Sequence, residues 1–207
     1  MEIKYKEYLD LLKNIKESNS KPRLLLHGCC APCSSEVLNE LCEYFDITIY
    51  YCNSNIYPKE EFELRYNQFK KLPNSFDIIK AEYNPDDFYS AIKGYEKDGE
   101  FSYRCYKCME ERIRKAALKA KEKGYDYFST TLSISPYKKS DWINEIGFNL
   151  ERECGVKYLY SNFKKNDGYK KTIGLSKDYG LYRQEYCGCI YSLEESQSKK
   201  VKDSSIN

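Results

Sequence analysis

Apolar and polar residues follow two rhythms along this chain. At the start, Ile3, Tyr8, Leu11, Leu12 and Ile15 recur at helical spacing, which predicts a helix to about Ser18. The run "RLLLH" (Arg23–His27) is short and apolar throughout, as a strand buried on both faces should be. A helical stripe follows over 34–45, then a strand pattern, "DITIYYC", over 46–52. The stretch 58–72 opens on Pro, carries its acids early and its lysines late, and so suits a helix and its dipole. Further strands are expected at 76–83, 125–133 and 157–163, and further helices at 85–95, 108–124 and 139–154. Strands alternating with helices predict an α/β fold: an open parallel sheet of about five strands with helices on both faces. No repeat or linker interrupts the pattern, so residues 1–192 are expected to form a single domain and 193–207 a polar, frayed tail.

The length, 207 residues, suits one domain with a sizeable core and is short for two. No apolar run approaches the roughly 18 residues of a membrane span. The opening stretch lacks the apolar core and small-residue cleavage site of a secretory signal, so a cytoplasmic protein is expected. A net charge of +2 gives no global nucleic-acid signature and leaves only local patches to consider. The 22 tyrosines invite a base-stacking reading, but a genome rich in Tyr, Lys, Asn and Ile codons explains most of them.

The ten cysteines change the picture, because a reducing compartment rarely uses them for disulfides. Cys42, Cys52 and Cys154 stand alone and read as small core residues. The other seven are grouped: Cys29, Cys30 and Cys33 in "HGCCAPC", Cys105 and Cys108 in "YRCYKC", Cys187 and Cys189 in "YCGC". The first group follows the first strand and leads into a helix. In an open parallel sheet that is where ligands bind, and a helix N-terminus favours thiolates. Gly28 would let the backbone turn there, and Pro32 would pre-set the first helical turn. Seven thiols exceed the four that one tetrahedral zinc or one [4Fe–4S] cluster takes. Two metal centres, or one cluster plus a catalytic thiol set, remain open on this count. A structural zinc fits less well, since its knuckles usually pair CxxC with CxxC.

The segments "LLLHGCCAPCS", "NSNIYPKEEFELR", "YRCYKCMEERI", "STTLSISPYKKSDWINEIG" and "YRQEYCGCIYS" resemble, in order, the motif series of the cobalamin-independent epoxyqueuosine reductases, the QueH family. The resemblance runs from about Leu24 to Ser192. It implies a fold related to the adenine-nucleotide α-hydrolase, or PP-loop, sheets. It implies reduction of the epoxide of epoxyqueuosine to queuosine at the wobble position of a tRNA anticodon. It also implies a [4Fe–4S] cluster beside a second metal, taken as iron. The chain shows no flavin or nicotinamide fingerprint, so an external low-potential electron donor is expected. Carried over by position, Cys29, Cys30, Cys105 and Cys108 would bind the cluster. Cys187 and Cys189 would hold the second metal, completed by Cys33, where the family pattern has Asp or Cys. Thiols would then fill the loop that holds ATP phosphates in PP-loop enzymes, which argues against ATP.

Removing the epoxide oxygen consumes two electrons and two protons, so a proton donor is needed. Tyr186, Asp141, Tyr103 and Tyr137 are candidates; Arg183, with Arg65 and Arg104, could balance thiolate charge or grip a phosphate, or form ordinary surface ion pairs. His27, the only histidine, reads as a core residue rather than a catalyst. Residues 155–177 carry six Lys against Asp167, with Tyr158, Tyr160, Phe163 and Tyr169 interleaved. That run is either a solvated face or a surface for phosphates and stacked bases. Two rival functions stand beside the reductase: a zinc-stabilised RNA-binding module, and a PP-loop tRNA-thiolation enzyme.

Overall fold

The computed structural model describes residues 2–73 and 75–204; the side chains of Glu2, Ile3 and residues 200–204 lie outside the described set, as do residues 205–207. Five strands form one sheet: β1 (Arg23–His27), β2 (Asp46–Tyr51), β3 (Asp77–Lys80), β4 (Tyr127–Thr130) and β5 (Lys157–Tyr158). Their order is β3-β2-β1-β4-β5 and every pairing is parallel, as the alternation of strands and helices predicts. Helices α1 (Glu2–Glu17), α2 (Ala31–Leu41) and α3 (Lys59–Gln68) alternate with the first strands. Then come α4 (Pro85–Ala91), α5 (Tyr103–Lys123), α6 (Ser140–Cys154), α7 (Gly168–Asp178) and α8 (Ile190–Ser204).

Strand β1 explains the two-sided core. Leu24 and Leu26 point into one cluster with residues of α1, α2 and α3, while Leu25 points into another with Met109, Ile113 and Ile146 of α5 and α6. All three leucines are fully buried, each contributing about 1.5–3 kcal/mol of transfer free energy. Strand order reverses between β1 and β4, so the crevice at their carboxyl ends is the expected site of a ligand.

The differences from expectation have local causes. Helix α2 starts at Ala31, with Pro32 in its first turn and Cys30 as its extended N-cap residue, so Cys33 lies inside the helix. Helix α5 starts at Tyr103, which puts Cys105 and Cys108 in its first two turns rather than at its head. Strand β4 ends when the Thr130 hydroxyl accepts the Leu132 N–H and turns the chain into a short 3₁₀ helix, Thr131–Ile134. Strand β5 is only Lys157–Tyr158, because Ser161 and Phe163 give their N–H groups to the side chains of Asn144 and Ser133 instead of a strand. Helix α7 was not expected: it packs on α2, and its buried Thr172 and Ser176 are small polar residues whose hydroxyls bond back to Tyr169 O and Thr172 O. The polar stretch read as a tail continues as α8. Buried Arg104 of α5 reaches Glu195 at 3.4 Å and lies 4.5 Å from the Tyr191 ring centroid.

Candidate active site

Residues 28–33 cross from β1 to α2. A Cβ on Gly28 would lie 2.9 Å from both Ile49 and Phe69. The glycine is therefore there for close approach, and its φ is not in the left-handed region. Beyond it the thiol sulfurs of Cys29, Cys30 and Cys33 lie within 4.8 Å of one another. Thr131 accepts the Cys29 N–H at 3.2 Å and donates its hydroxyl to Cys29 Sγ at 3.3 Å; Gln184 Nε2 donates to Cys30 Sγ at 3.2 Å. Hydrogen bonds from Cys29 and Cys33 hold the Cys30 thiol well below its ordinary range. The same bonds push Cys33 up, and the bond to Cys30 takes Cys29 up to about 11. The trio is thus disposed to carry one thiolate stabilised by two thiols. All ten cysteines are free.

A second thiol group is assembled from two distant segments. Cys105 and Cys108 of α5 share a small cavity with Cys187 and Cys189, together with Arg112 and Lys138. Lys138 Nζ is 2.9 Å from Cys187 Sγ, and Arg112 Nη2 is 3.4 Å from Cys108 Sγ. Burial works against a thiolate at Cys187, but Lys138, Arg112 and Arg65 together hold its thiol below the ordinary value. Burial pushes Cys108 up to about 12, and burial with the nearby Cys187 raises Cys189. The turn between Cys187 and Cys189 is clamped: buried Arg65 donates to Cys187 O at 3.0 Å and Tyr186 O at 3.4 Å, and Gly188 O accepts the Tyr57 N–H at 2.8 Å. Gly188 has φ 138° and a Cβ there would lie 3.1 Å from Arg65 Nη1, so only glycine fits.

Both groups open on a cavity of about 560 Å³, lined by Cys29 and Cys33 on one wall and by Cys105 and Cys187 on another. Asn55 lines it too. This residue is 2% exposed, and its Oδ1 has no hydrogen-bond partner. His27 lies beneath. Its Nδ1 meets Thr130 Oγ1 at 2.8 Å and its Nε2 meets Asn53 Oδ1 at 3.1 Å; burial and then Arg112 lower it to about 4. Asn53 donates its amide to Gly28 O, so its Oδ1 accepts from Nε2–H, the Thr130 hydroxyl donates to Nδ1, and the ring is a neutral structural element.

Of the other residues singled out from sequence, Tyr186 and Arg183 line the cavity and Asp141 does not: it is exposed in the first turn of α6. The Tyr186 hydroxyl donates to Tyr57 O at 2.5 Å, and burial, then Glu61, push its pKa up to about 12. Arg183 donates to Ser176 Oγ at 2.9 Å and Thr172 O at 3.3 Å. Tyr137 is on the lining, whereas Tyr103 stacks on Tyr106 outside it. Lys138, Arg112, Asn55 and Gln184 were missed. The signals available were Arg112 four residues after Cys108 on one helix and Lys138 inside the "SPYKKSDW" segment. The lysine-rich run is also corrected in part. Tyr158, Tyr160 and Phe163 are buried in the core and cannot stack on bases; Lys171 pairs with Glu36, and Lys164 donates to Lys138 O.

The thiols fit iron–sulfur or metal centres chemically: seven soft donors form two groups around adjoining cavities, buried cations offset their charge, and Asn55 supplies an orphan polar atom. No helix among the described residues is long and apolar enough to cross a membrane. Residues 24–195 match the family model described as epoxyqueuosine reductase QueH. Curated proteins of that name are similar along most of their length. The one from Streptococcus pyogenes serotype M1 is 39% identical over 92% of this chain and 78% of its own. That from Thermotoga maritima is 37% identical over 86% and 94%. That from Staphylococcus aureus is 40% identical over 83% and 76%. With its parallel sheet, its thiol-lined crevice and these matches, the chain belongs to the epoxyqueuosine reductase QueH family.

Proposed function

We propose that this protein reduces the epoxide of epoxyqueuosine in tRNA, giving queuosine at the anticodon wobble position and water. The observation that carries the reading is that Cys29, Cys33, Cys105 and Cys187, from three chain segments, line one cavity at the switch point of the sheet, with Cys30 beside the first two and Cys108 and Cys189 in the small cavity that adjoins it. Cys29, Cys30, Cys105 and Cys108 would hold a [4Fe–4S] cluster, and Cys33, Cys187 and Cys189 a second metal, iron. Support for drawing each centre's ligands from both walls comes from Cys29, Cys33, Cys105 and Cys187 all lining the same cavity. The mutual proximity of Cys29, Cys30 and Cys33 favours a second partition, three thiols against four. When bound, such centres supply electrons one at a time and a Lewis acid for an oxygen.

The chain's own residues do the rest. Lys138, Arg112 and Arg65 offset thiolate charge around Cys187 and Cys108. Tyr186 keeps its proton at neutral pH and lies on the cavity lining, and it would serve as the acid for the departing oxygen once its hydroxyl turns from the Tyr57 carbonyl. Asp141 would act there only if α6 moved. Arg183 is suited to a phosphate, and the exposed lysines of α7 to the tRNA body. The two electrons come from an external low-potential donor, the protein works in the cytoplasm, and residues 1–192 act as one catalytic domain, with Glu195, Ser196 and Lys199 of the following stretch adding to the cavity lining.

The test is anaerobic. Protein with iron and sulfide in a ratio of about five to four, given epoxyqueuosine tRNA and a low-potential reductant, should yield queuosine by nucleoside mass spectrometry. It should need neither ATP nor cobalamin, and labelled epoxide oxygen should leave to solvent. Zinc without sulfide, or a diol product, would sink the reading.

A further inference from the structure

The mouth of the large cavity carries flat rings exposed to solvent. Tyr137 is 64% exposed and Phe101 47%, and both line the cavity with Trp142 and Tyr169. Large apolar rings standing in water at the rim of a cleft mark a contact surface. Phe101 adds a second sign. Its φ is +63°, a conformation that costs a bulky residue free energy, and strain of this kind persists where function uses it. Cations sit beside the rings: Lys139 Nζ lies 3.9 Å from the Trp142 ring centroid and Arg183 Cζ 5.9 Å from that of Tyr169. The acids on the same lining are Glu100, Glu185 and Glu195, the last tied to Arg104.

Alternating rings and cations around a deep opening match one kind of partner: a short single-stranded stretch of nucleic acid, whose bases stack while its phosphates meet the cations. A duplex cannot present its bases this way, and a protein strand would offer no phosphates. We infer that the aromatic mouth, Tyr137 and Trp142 above all, is the stacking platform for the nucleotides flanking the modified base of an RNA loop. The inference rests on the proposed function for which RNA enters, and it moves base recognition away from 155–177. Three of the four aromatics interleaved in that segment are core residues. The fourth, Tyr169, faces the cavity instead.

Trp142 is the only tryptophan in the chain, so its fluorescence reports on the mouth directly. The probe is an anticodon stem-loop hairpin with unmodified guanine at the wobble position, titrated anaerobically into metal-loaded protein. A blunt duplex of the same stem sequence serves as control. The hairpin should quench Trp142 saturably and the duplex should not. Tyr137→Ala changes an exposed side chain and should leave iron and sulfide content unaltered. It should weaken hairpin binding by about tenfold without changing the dependence on salt, as loss of one base stack requires. Lys139→Ala should lower the salt slope by about one. Equal quenching by duplex and hairpin, or unchanged hairpin affinity in Tyr137→Ala, would overturn the inference. If the wild-type protein makes queuosine while Tyr137→Ala binds normally, the inference alone fails. If the hairpin stacks as described yet no queuosine forms, the functional reading fails and the platform stands.

Discussion

The two thiol groups face one cavity but are built in opposite ways. Cys29, Cys30 and Cys33 come from five consecutive positions on a strand-to-helix turn, and their strongest electrostatic partners are one another. Cys187 meets Cys105 and Cys108 only because the fold brings distant segments together, and its charge is offset by buried Lys138, Arg112 and Arg65. The first group is a property of a loop, the second of the whole tertiary structure. Damage to the fold, or to a cation, should therefore reach the second group first.

The sharpest test divides the second group by the chain segments that build it. Cys105→Ala or Cys108→Ala should lose the visible absorbance of an iron–sulfur cluster and with it turnover. Cys187→Ala or Cys189→Ala should retain much of the absorbance while turnover falls below detection. Equal bleaching in both pairs would favour the partition by proximity. Next in size is the cation. Lys138→Met leaves the Cys187 thiolate without its nearest counter-charge, and iron retained against a chelator should drop by at least tenfold, in the range seen when a partner supporting a metal ligand is lost. Thr131→Val beside Cys29 should do far less, costing about 1 kcal/mol in thermal or denaturant unfolding, as for one hydrogen bond. The two glycines compare in the same way. Gly28→Ala must push Ile49 or Phe69 aside and should cost about 1–3 kcal/mol of stability. In Gly188→Ala the damage should fall on metal content, because strain at φ 138° is added beside the Arg65 clamp. The smallest effect concerns α7. Reversing exposed Lys170, Lys171 and Lys177 to Glu should flatten the salt dependence of full-length tRNA binding by about two to three units of slope, yet change hairpin affinity less than twofold.

Much of this molecule could be read from its residues. The fully apolar "LLL" of β1 announces a strand buried on two faces, and the thiol loop after it marks the end of the sheet where the cavity opens. What escaped notice depended on partners far away in sequence. Lys138 and Arg112 look like surface charges until the fold sets Cys187 and Cys108 against them. The α7 helix hides because its buried face is Thr172 and Ser176, which carry no apolar stripe. Residues 159–163 look like strand, but side chains from α6 and the Thr131–Ile134 turn take up their backbone groups. Asp141 reads as an acid near a motif, and the turn of α6 directs it to solvent.

The clamped turn at Gly188 has a consequence for how the protein is made. Gln184, which caps Cys30, lies 154 positions after it, and Arg65 must wait 122 positions for the Cys187 carbonyl it holds. A ribosome therefore exposes the first three thiols well before it supplies Gln184 and the Cys187 turn. Until then the early trio stands in the nascent chain as an unprotected soft-metal trap, open to zinc, copper or oxidants. If both walls hold the proposed centres, loading must follow the arrival of residues 184–189, and expression without a matched supply of iron should yield protein that is folded but carries other metals.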